Sequence, residues 1–116
     1  MGTNFYAVKF RTVKCDHCGL EMQIETEPLH IGKRSFGWQF MFRAHMEDGE
    51  GGIPGVASAT EWFHLLKRAI IRDEYGQTID SADFWASVAA THTQQRAWHF
   101  DFLDEQNWAF KYNEFC

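Results

Sequence analysis

Apolar and polar residues alternate along the first part of the chain. Between residues 3 and 14, apolar Tyr6, Val8 and Phe10 occupy every second position. Side chains on one face of a strand recur at this period, so the segment predicts a β-strand. The alternation returns further along, and we expect additional strands over residues 22–25, 29–31 and 38–46, with a turn over residues 32–37.

Two later segments carry apolar residues at helical spacing. Ser58 and Glu61 form a capping box that predicts the start of a first helix. Asp80 is the predicted N-cap of a second helix over residues 81–95. The apolar face of the first helix comprises Ala59, Trp62, Phe63, Leu66 and Ile70, and that of the second comprises Phe84, Trp85, Val88, Ala89 and His92.

The chain closes with two further alternating runs around a polar link at residues 104–107, which predict a β-hairpin. We therefore predict an α+β fold with an N-terminal antiparallel β-meander clasped by zinc, two amphipathic helices, and a C-terminal β-hairpin that completes or extends the sheet. The parts of this single predicted domain, over residues 1–116, are a zinc-knuckle β part (1–46), a Gly-rich loop (47–57), two helices (58–96) and the hairpin (97–116).

Composition narrows the class of protein. The 116 residues are 45% hydrophobic and 16% aromatic, which is enough for a folded core and excludes disorder as the main state. The sequence contains no apolar run of about 20 residues, so we expect no membrane span. The first residues lack the pattern of a signal peptide. We expect a soluble, intracellular protein.

The charge distribution disfavours a nucleic-acid partner. The net charge is −5, and the first 55 residues carry six Lys or Arg against seven Asp or Glu. Proteins that bind nucleic acids usually present a basic surface to the phosphates. Neither half of this chain is basic.

The motif Cys15-Asp16-His17-Cys18-Gly19 is the strongest chemical signal. Two thiolates at this spacing can hold one zinc ion, with the backbone N–H groups between them pointing at sulfur. The glycine after the second cysteine fits a knuckle that needs a positive φ. A redox pair would sit at a helix N-terminus, whereas β-like sequence flanks this motif, so metal is favoured over redox chemistry and over two idle cysteines.

A closed zinc site needs two more ligands. His30 and His45 flank the 32–37 turn on two strands that we expect to pair, so both could complete a Cys2His2 site. His17 is an alternative ligand, although the inner positions of a knuckle usually point away from the metal. Either of His30 and His45, taken alone, is equally compatible with an ordinary core or surface histidine. The role of Cys116 stays open.

Several segments together resemble a family of short uncharacterised proteins encoded in bacteriophage and prophage genomes. They are the start MGTNFY, the C-x-x-C-G knuckle, residues 29–40 (LHIGKRSFGWQF) with His45 beyond, and residues 73–76 (DEYG). The resemblance implies that Cys15, Cys18, His30 and His45 belong to one zinc site. It also implies a phage or prophage origin and expression inside a bacterium. Arg34 and Phe36 in the turn, and the aromatic C-terminal part, depart from the family pattern, so a functional surface at this turn would have a specificity of its own.

Three functions follow as expectations. The leading one is a phage accessory protein, stabilised by structural zinc, that binds a host protein in order to inhibit host defence or redirect host machinery. The expected partner-binding residues are Lys33, Arg34, Phe36 and Trp38, which we name the basic–aromatic strip. The first alternative is a zinc module that stacks single-stranded nucleic acid on this strip. The second is a small metal-dependent hydrolase, which would require an open zinc position. No catalytic motif points to an enzyme.

Overall fold

The structure is a computed structural model, and it describes residues 2–25, 28–35, 37–45, 55–96 and 100–112. Within these ranges the chain has the predicted mixed α+β composition. In chain order the elements are β1 (Gly2–Val8), β2 (Phe10–Lys14), β3 (Glu21–Glu25), β4 (Leu29–Ser35), β5 (Met41–Arg43), α1 (Ala59–Leu66), β6 (Ile70–Asp73), β7 (Thr78–Ile79), α2 (Ser81–Ala89), β8 (Phe102–Leu103) and β9 (Ala109–Lys111).

Seven of these strands form one sheet in the order β7-β6-β1-β4-β5-β9-β8. Neighbouring strands are antiparallel except β5 and β9, which are parallel. The predicted C-terminal hairpin is confirmed as β8 and β9, and it extends the sheet beyond β5 as expected. The sheet therefore joins strands from the first and last parts of the chain.

β2 and β3 form a separate two-stranded sheet that continues β1 and β4. We name residues 10–25, which comprise these strands and their connecting turn, the arm. The predicted long first strand divides at Lys9. Along the ribbon Tyr6 pairs with His30 whereas Phe5 pairs with Gly32, so Ile31 is an extra residue at a β-bulge.

The arm makes the molecule long. The principal extents are 55 × 28 × 23 Å and the radius of gyration is 15.6 Å. A compact domain of 116 residues has a radius of gyration of about 13 Å. The excess agrees with a pair of strands that leaves the main sheet.

Both helices contribute to a core that is largely aromatic. The Phe5 ring of β1 lies edge-on to Phe84 of α2 with the centroids 5.2 Å apart, and Phe42 of β5 stacks on Phe110 of β9 at the same separation. The indole Nε1 of Trp62 in α1 donates to the Arg43 carbonyl oxygen over 3.0 Å. This bond fixes α1 against β5, which places both helix and sheet aromatics in one cluster.

The helix starts are confirmed. The Ser58 hydroxyl accepts a hydrogen bond from the Glu61 amide over 3.1 Å, and the Asp80 carboxylate accepts from the amides of Ala82 and Asp83. The predicted helix ends are wrong, because α1 ends at Leu66 and α2 at Ala89. Ile70, expected on the first helix, belongs instead to β6, and His92 lies beyond the second.

Several strand bounds also differ from expectation. The predicted turn over residues 32–37 is wrong in its first part, because β4 continues to Ser35. Gly32 is needed there for space, since a Cβ would overlap the Met41 carbonyl oxygen and the Phe40 ring. The strand predicted over residues 38–46 is reduced to β5, and β6 and β7 were not predicted. Residues 47–54 of the expected Gly-rich loop, and residue 46 at the end of the predicted strand, lie outside the described residues.

Candidate metal and partner sites

The C-x-x-C motif forms the turn at the tip of the arm. The Cys15 amide donates to the Leu20 carbonyl oxygen over 2.8 Å, and the Gly19 amide donates to the Cys15 carbonyl oxygen over 2.9 Å. Gly19 has φ of 72°, the positive value that the knuckle predicts. The motif joins two strands rather than starting a helix, which is the local context predicted for a metal-binding pair.

Hydrogen bonds stabilise a thiolate at Cys15. The backbone of Cys18, the backbone of His17 and then the Cys18 side chain hydrogen-bond to its sulfur and lower the pKa of the Cys15 thiol. The backbone groups are the N–H donors that the sequence places around a knuckle sulfur. The thiolate is the form of cysteine that can bind a metal ion.

His30 and His45 lie together in the body of the molecule. The Nε2 atom of His30 donates to Asn4 Oδ1 over 2.9 Å, and the Nε2 atom of His45 donates to the His30 carbonyl oxygen over 2.8 Å. The backbones of His45 and Val56 also pair, with both N–O distances 2.9 Å. These contacts connect β4 to the segment before α1.

Both imidazoles favour the neutral form. Burial lowers the pKa of His30 to about 4, with further lowering by the positive Arg43 and by His45. His30 is only 3% exposed. Burial is also the main cause that lowers the pKa of His45, and its hydrogen bond to the His30 backbone opposes this shift in part. In this structure the buried His30 and the half-buried His45 both act as hydrogen-bonded structural histidines.

The four predicted zinc ligands occupy two places. Cys15 and Cys18 lie at the arm tip, whereas His30 pairs with Tyr6 inside the main sheet. The chain from Tyr6 to Cys15 is mostly extended, and nine residues of strand span about 30 Å. Among the residues described here, no group of three or more His, Cys, Asp or Glu side chains could hold a metal ion. The described arrangement does not bring the four predicted ligands together, and the four-ligand zinc site stays a prediction.

The described residues of the basic–aromatic strip lie at the opposite end of β4 from the arm. Lys33 is half-buried, while Arg34 and Trp38 are exposed, and Phe36 lies outside the described residues. Trp38 pairs with Gln95 through an isolated parallel bridge. Arg34 also lines a cavity of about 340 Å³, together with Ser87, Thr91 and Gln94.

Two exposed apolar surfaces were missed from the sequence. One is a face of the arm, which includes Leu20 and Met22. The other is a groove of about 380 Å³ that includes Phe63 and Trp85, where Phe63 is 45% exposed rather than buried as predicted. The alternation in β3 was a usable signal for the first surface, because it shows that one face of that strand is apolar.

Comparison with known proteins supplies no relative. No family model, no curated protein and no solved structure matches this chain. In the described part of the chain, neither helix has the length and apolar character needed to cross a membrane.

Proposed function

We propose that this chain is a non-enzymatic accessory protein of phage origin that binds a protein of the bacterial host in the host cytoplasm. The resemblance of its N-terminal segments to phage and prophage proteins supports the origin. The chain binds this host protein through the basic–aromatic strip, and the binding inhibits host defence or redirects host machinery.

The observation that carries this proposal is the exposure of Arg34 and Trp38 beside a cavity. Trp38 is 38% exposed, and Gly37, which precedes it, lines the same cavity as Arg34. Tryptophan and arginine are the residues most enriched among those that dominate protein–protein binding energy, especially next to a pocket that a partner side chain can fill. Lys33 and Phe36 complete the proposed surface.

We further propose that Cys15 and Cys18 hold a structural Zn²⁺. An isolated two-stranded hairpin is marginal in water, so an ion at the turn would stabilise the arm. The N–H groups directed at the Cys15 sulfur support a bound cation. A zinc site with His30 and His45 as additional ligands would require the arm tip to approach these two histidines.

Affinity capture from bacterial lysate tests the binding proposal. The wild-type chain is compared with Trp38→Ser and Arg34→Glu, and with Tyr75→Ser as a matched control, because Tyr75 is an exposed aromatic in the β6–β7 turn. We expect one host protein to be retained by the wild type and the control and to be lost from the two strip variants. Equal capture by all four chains would contradict the assignment of the strip.

A labelled single-stranded oligonucleotide, titrated at low and high salt, separates the protein partner from the nucleic-acid alternative. We expect no binding at low salt, because the net charge of −5 opposes contact with phosphates. Binding that weakens with added salt and is lost in Trp38→Ser would replace the host-protein proposal. Melting temperatures close to that of the wild type establish that each variant is folded.

A further inference from the structure

The arm tip presents two cysteine sulfurs, which are fewer than the ligands that a zinc ion needs. Cys18 is exposed and Cys15 is half-buried, and both are free thiols. Structural zinc sites in proteins almost always have four ligands in a tetrahedron. A knuckle that holds zinc therefore needs two ligands from elsewhere.

The described part of this chain does not supply those ligands at the tip. No group of three His, Cys, Asp or Glu side chains forms there or elsewhere in the described ranges. The Nε2 atom of His30, in β4, donates to Asn4, and that of His45, which follows β5, donates to the His30 carbonyl oxygen. The simplest source of two further thiolates is the same pair of cysteines on a second copy, related by a two-fold axis through the ion.

The apolar face of the arm lies on the same side as Cys15. Val13 pairs with Met22, and Cys15 stands opposite Leu20 through the Cys15 amide bond to the Leu20 carbonyl. Because side chains alternate along a strand, these positions share one face. Val13 is 39%, Leu20 63% and Met22 53% exposed. The other face carries the polar side chains of Thr12, Lys14, Glu21, Gln23 and Glu25, together with the exposed Phe10 at the base of the arm.

We propose that two copies of this chain join at their arm tips through one Zn²⁺ held by Cys15 and Cys18 of each copy. Val13, Leu20 and Met22 pack against their symmetry equivalents beside the ion. The inference rests on the zinc site proposed above and assigns its remaining ligands. Each thiol loses its proton to solvent when its sulfur binds the metal.

The metal is required for this association. A stable protein interface buries about 1,600 Å² in total, and three side chains on each arm fall well short of that area. The copies therefore separate when zinc is removed. This requirement distinguishes the proposal from an ordinary hydrophobic dimer.

Metal stoichiometry and molecular mass test the proposal together. The metal-free chain is titrated with Co²⁺, whose visible absorption reports tetrahedral thiolate ligands, and then with Zn²⁺, while light scattering reports the mass. We expect saturation at one metal ion per two chains, with the mass rising to twice 13.6 kDa and returning to 13.6 kDa with a chelator. Saturation at one ion per chain without a change in mass would overturn the shared site but keep the zinc site. No metal binding would overturn both, and host-protein capture would be unaffected by either result.

Single substitutions locate the ligands. Cys18→Ser should abolish metal binding and association together, whereas His45→Gln and Cys116→Ser should retain both. Loss of metal binding in either of the latter variants would show that the site closes within one chain or uses another thiol, and would overturn the proposal.

The apolar face is tested separately from the metal. Leu20→Ser should raise the dissociation constant of the zinc-bound dimer about a hundredfold, because it removes one buried apolar side chain from each of the two copies. Thr12→Ser on the opposite face of the arm is the matched control and should leave the constant unchanged. Equal dissociation constants for Leu20→Ser and the wild type would contradict the packing of this face between copies.

Discussion

The arm and the main sheet are built from strands with the same alternating pattern, yet their apolar residues meet different surroundings. In the main sheet, Phe42 and Phe110 are fully buried beneath the helices. In the arm, Leu20 and Met22 are mostly exposed. Alternation reports that a strand has an apolar face, whereas the identity of the layer that covers this face depends on residues distant in sequence. The apolar face of the arm is therefore left exposed in the described part of one chain, whereas that of the main sheet is covered.

The largest expected difference between the two regions is in free energy of unfolding. Trp62→Ala should lower the stability by about 3–5 kcal/mol, because it empties a fully buried site and removes the hydrogen bond to the Arg43 carbonyl. Met22→Ala should change it by less than about 0.5 kcal/mol in the metal-free chain, because the side chain is exposed. Urea unfolding measures both. A large loss in Met22→Ala would show that the arm face is already covered within one chain.

Acid should destabilise the main sheet through its histidines. The folded state holds the pKa of His30 at about 4, and the ordinary value is 6.5, so the unfolded chain takes up the proton first as the pH falls. The contribution of His30 to the free energy of unfolding is therefore fully present above pH 6.5. It is lost as the pH falls from 6.5 to 4, by about 3 kcal/mol in total at 1.36 kcal/mol per pH unit. His45, whose pKa is also lowered, adds to the loss in the same direction.

Urea unfolding across this pH range tests the role of His30. The His30→Gln variant has no titrating group at that position, so its stability should vary less steeply with pH than that of the wild type. Identical slopes for the two proteins would mean that His30 does not carry the acid sensitivity. Hydrogen exchange adds a spatial check, because the loss should appear in β1 and β4 before it appears in the arm.

The smallest effect is expected at the joint between the regions. Arg72 of β6 donates from Nη1 and Nη2 to the two carboxylate oxygens of Glu25 at the base of the arm, over 2.9 and 2.6 Å. Both side chains are partly exposed, so solvent weakens the pair. Glu25→Gln should leave the melting temperature nearly unchanged and speed hydrogen exchange in the arm amides, most clearly at low salt. Unchanged exchange would show that the pair does not hold the arm.

Local signals in the sequence predicted local structure well. Ser58 and Asp80 were identified as helix caps because their side chains bond to amides two or three residues away. The positive φ of Gly19 followed from its place in the knuckle in the same way. The helix ends were less predictable, because Ile70 continues the apolar spacing of α1 but is used by β6, which pairs with β1. Long-range pairing outweighs helical spacing at that position.

At the candidate site, too, the sequence predicted the local geometry but not the long-range arrangement. The sequence identified the thiol pair and its turn, because four consecutive residues and a glycine determine that geometry. It could not place His30 relative to Cys15, since their separation depends on the length of the ribbon and the register slip at Ile31. Gly32 was assigned to a turn from composition, but the close approach of the Phe40 ring requires glycine within a strand.

The position of the arm in the strand order has a mechanical consequence. The arm continues β1 and β4, which are the third and fourth of seven strands, and each is flanked by neighbours on both sides. A pull on the tip along the ribbon loads these central strands in shear, so that many ladder hydrogen bonds resist it at the same time. An edge strand pulled outward would instead release its bonds one after another. The arm is thus attached to two central strands of the sheet rather than to an edge strand.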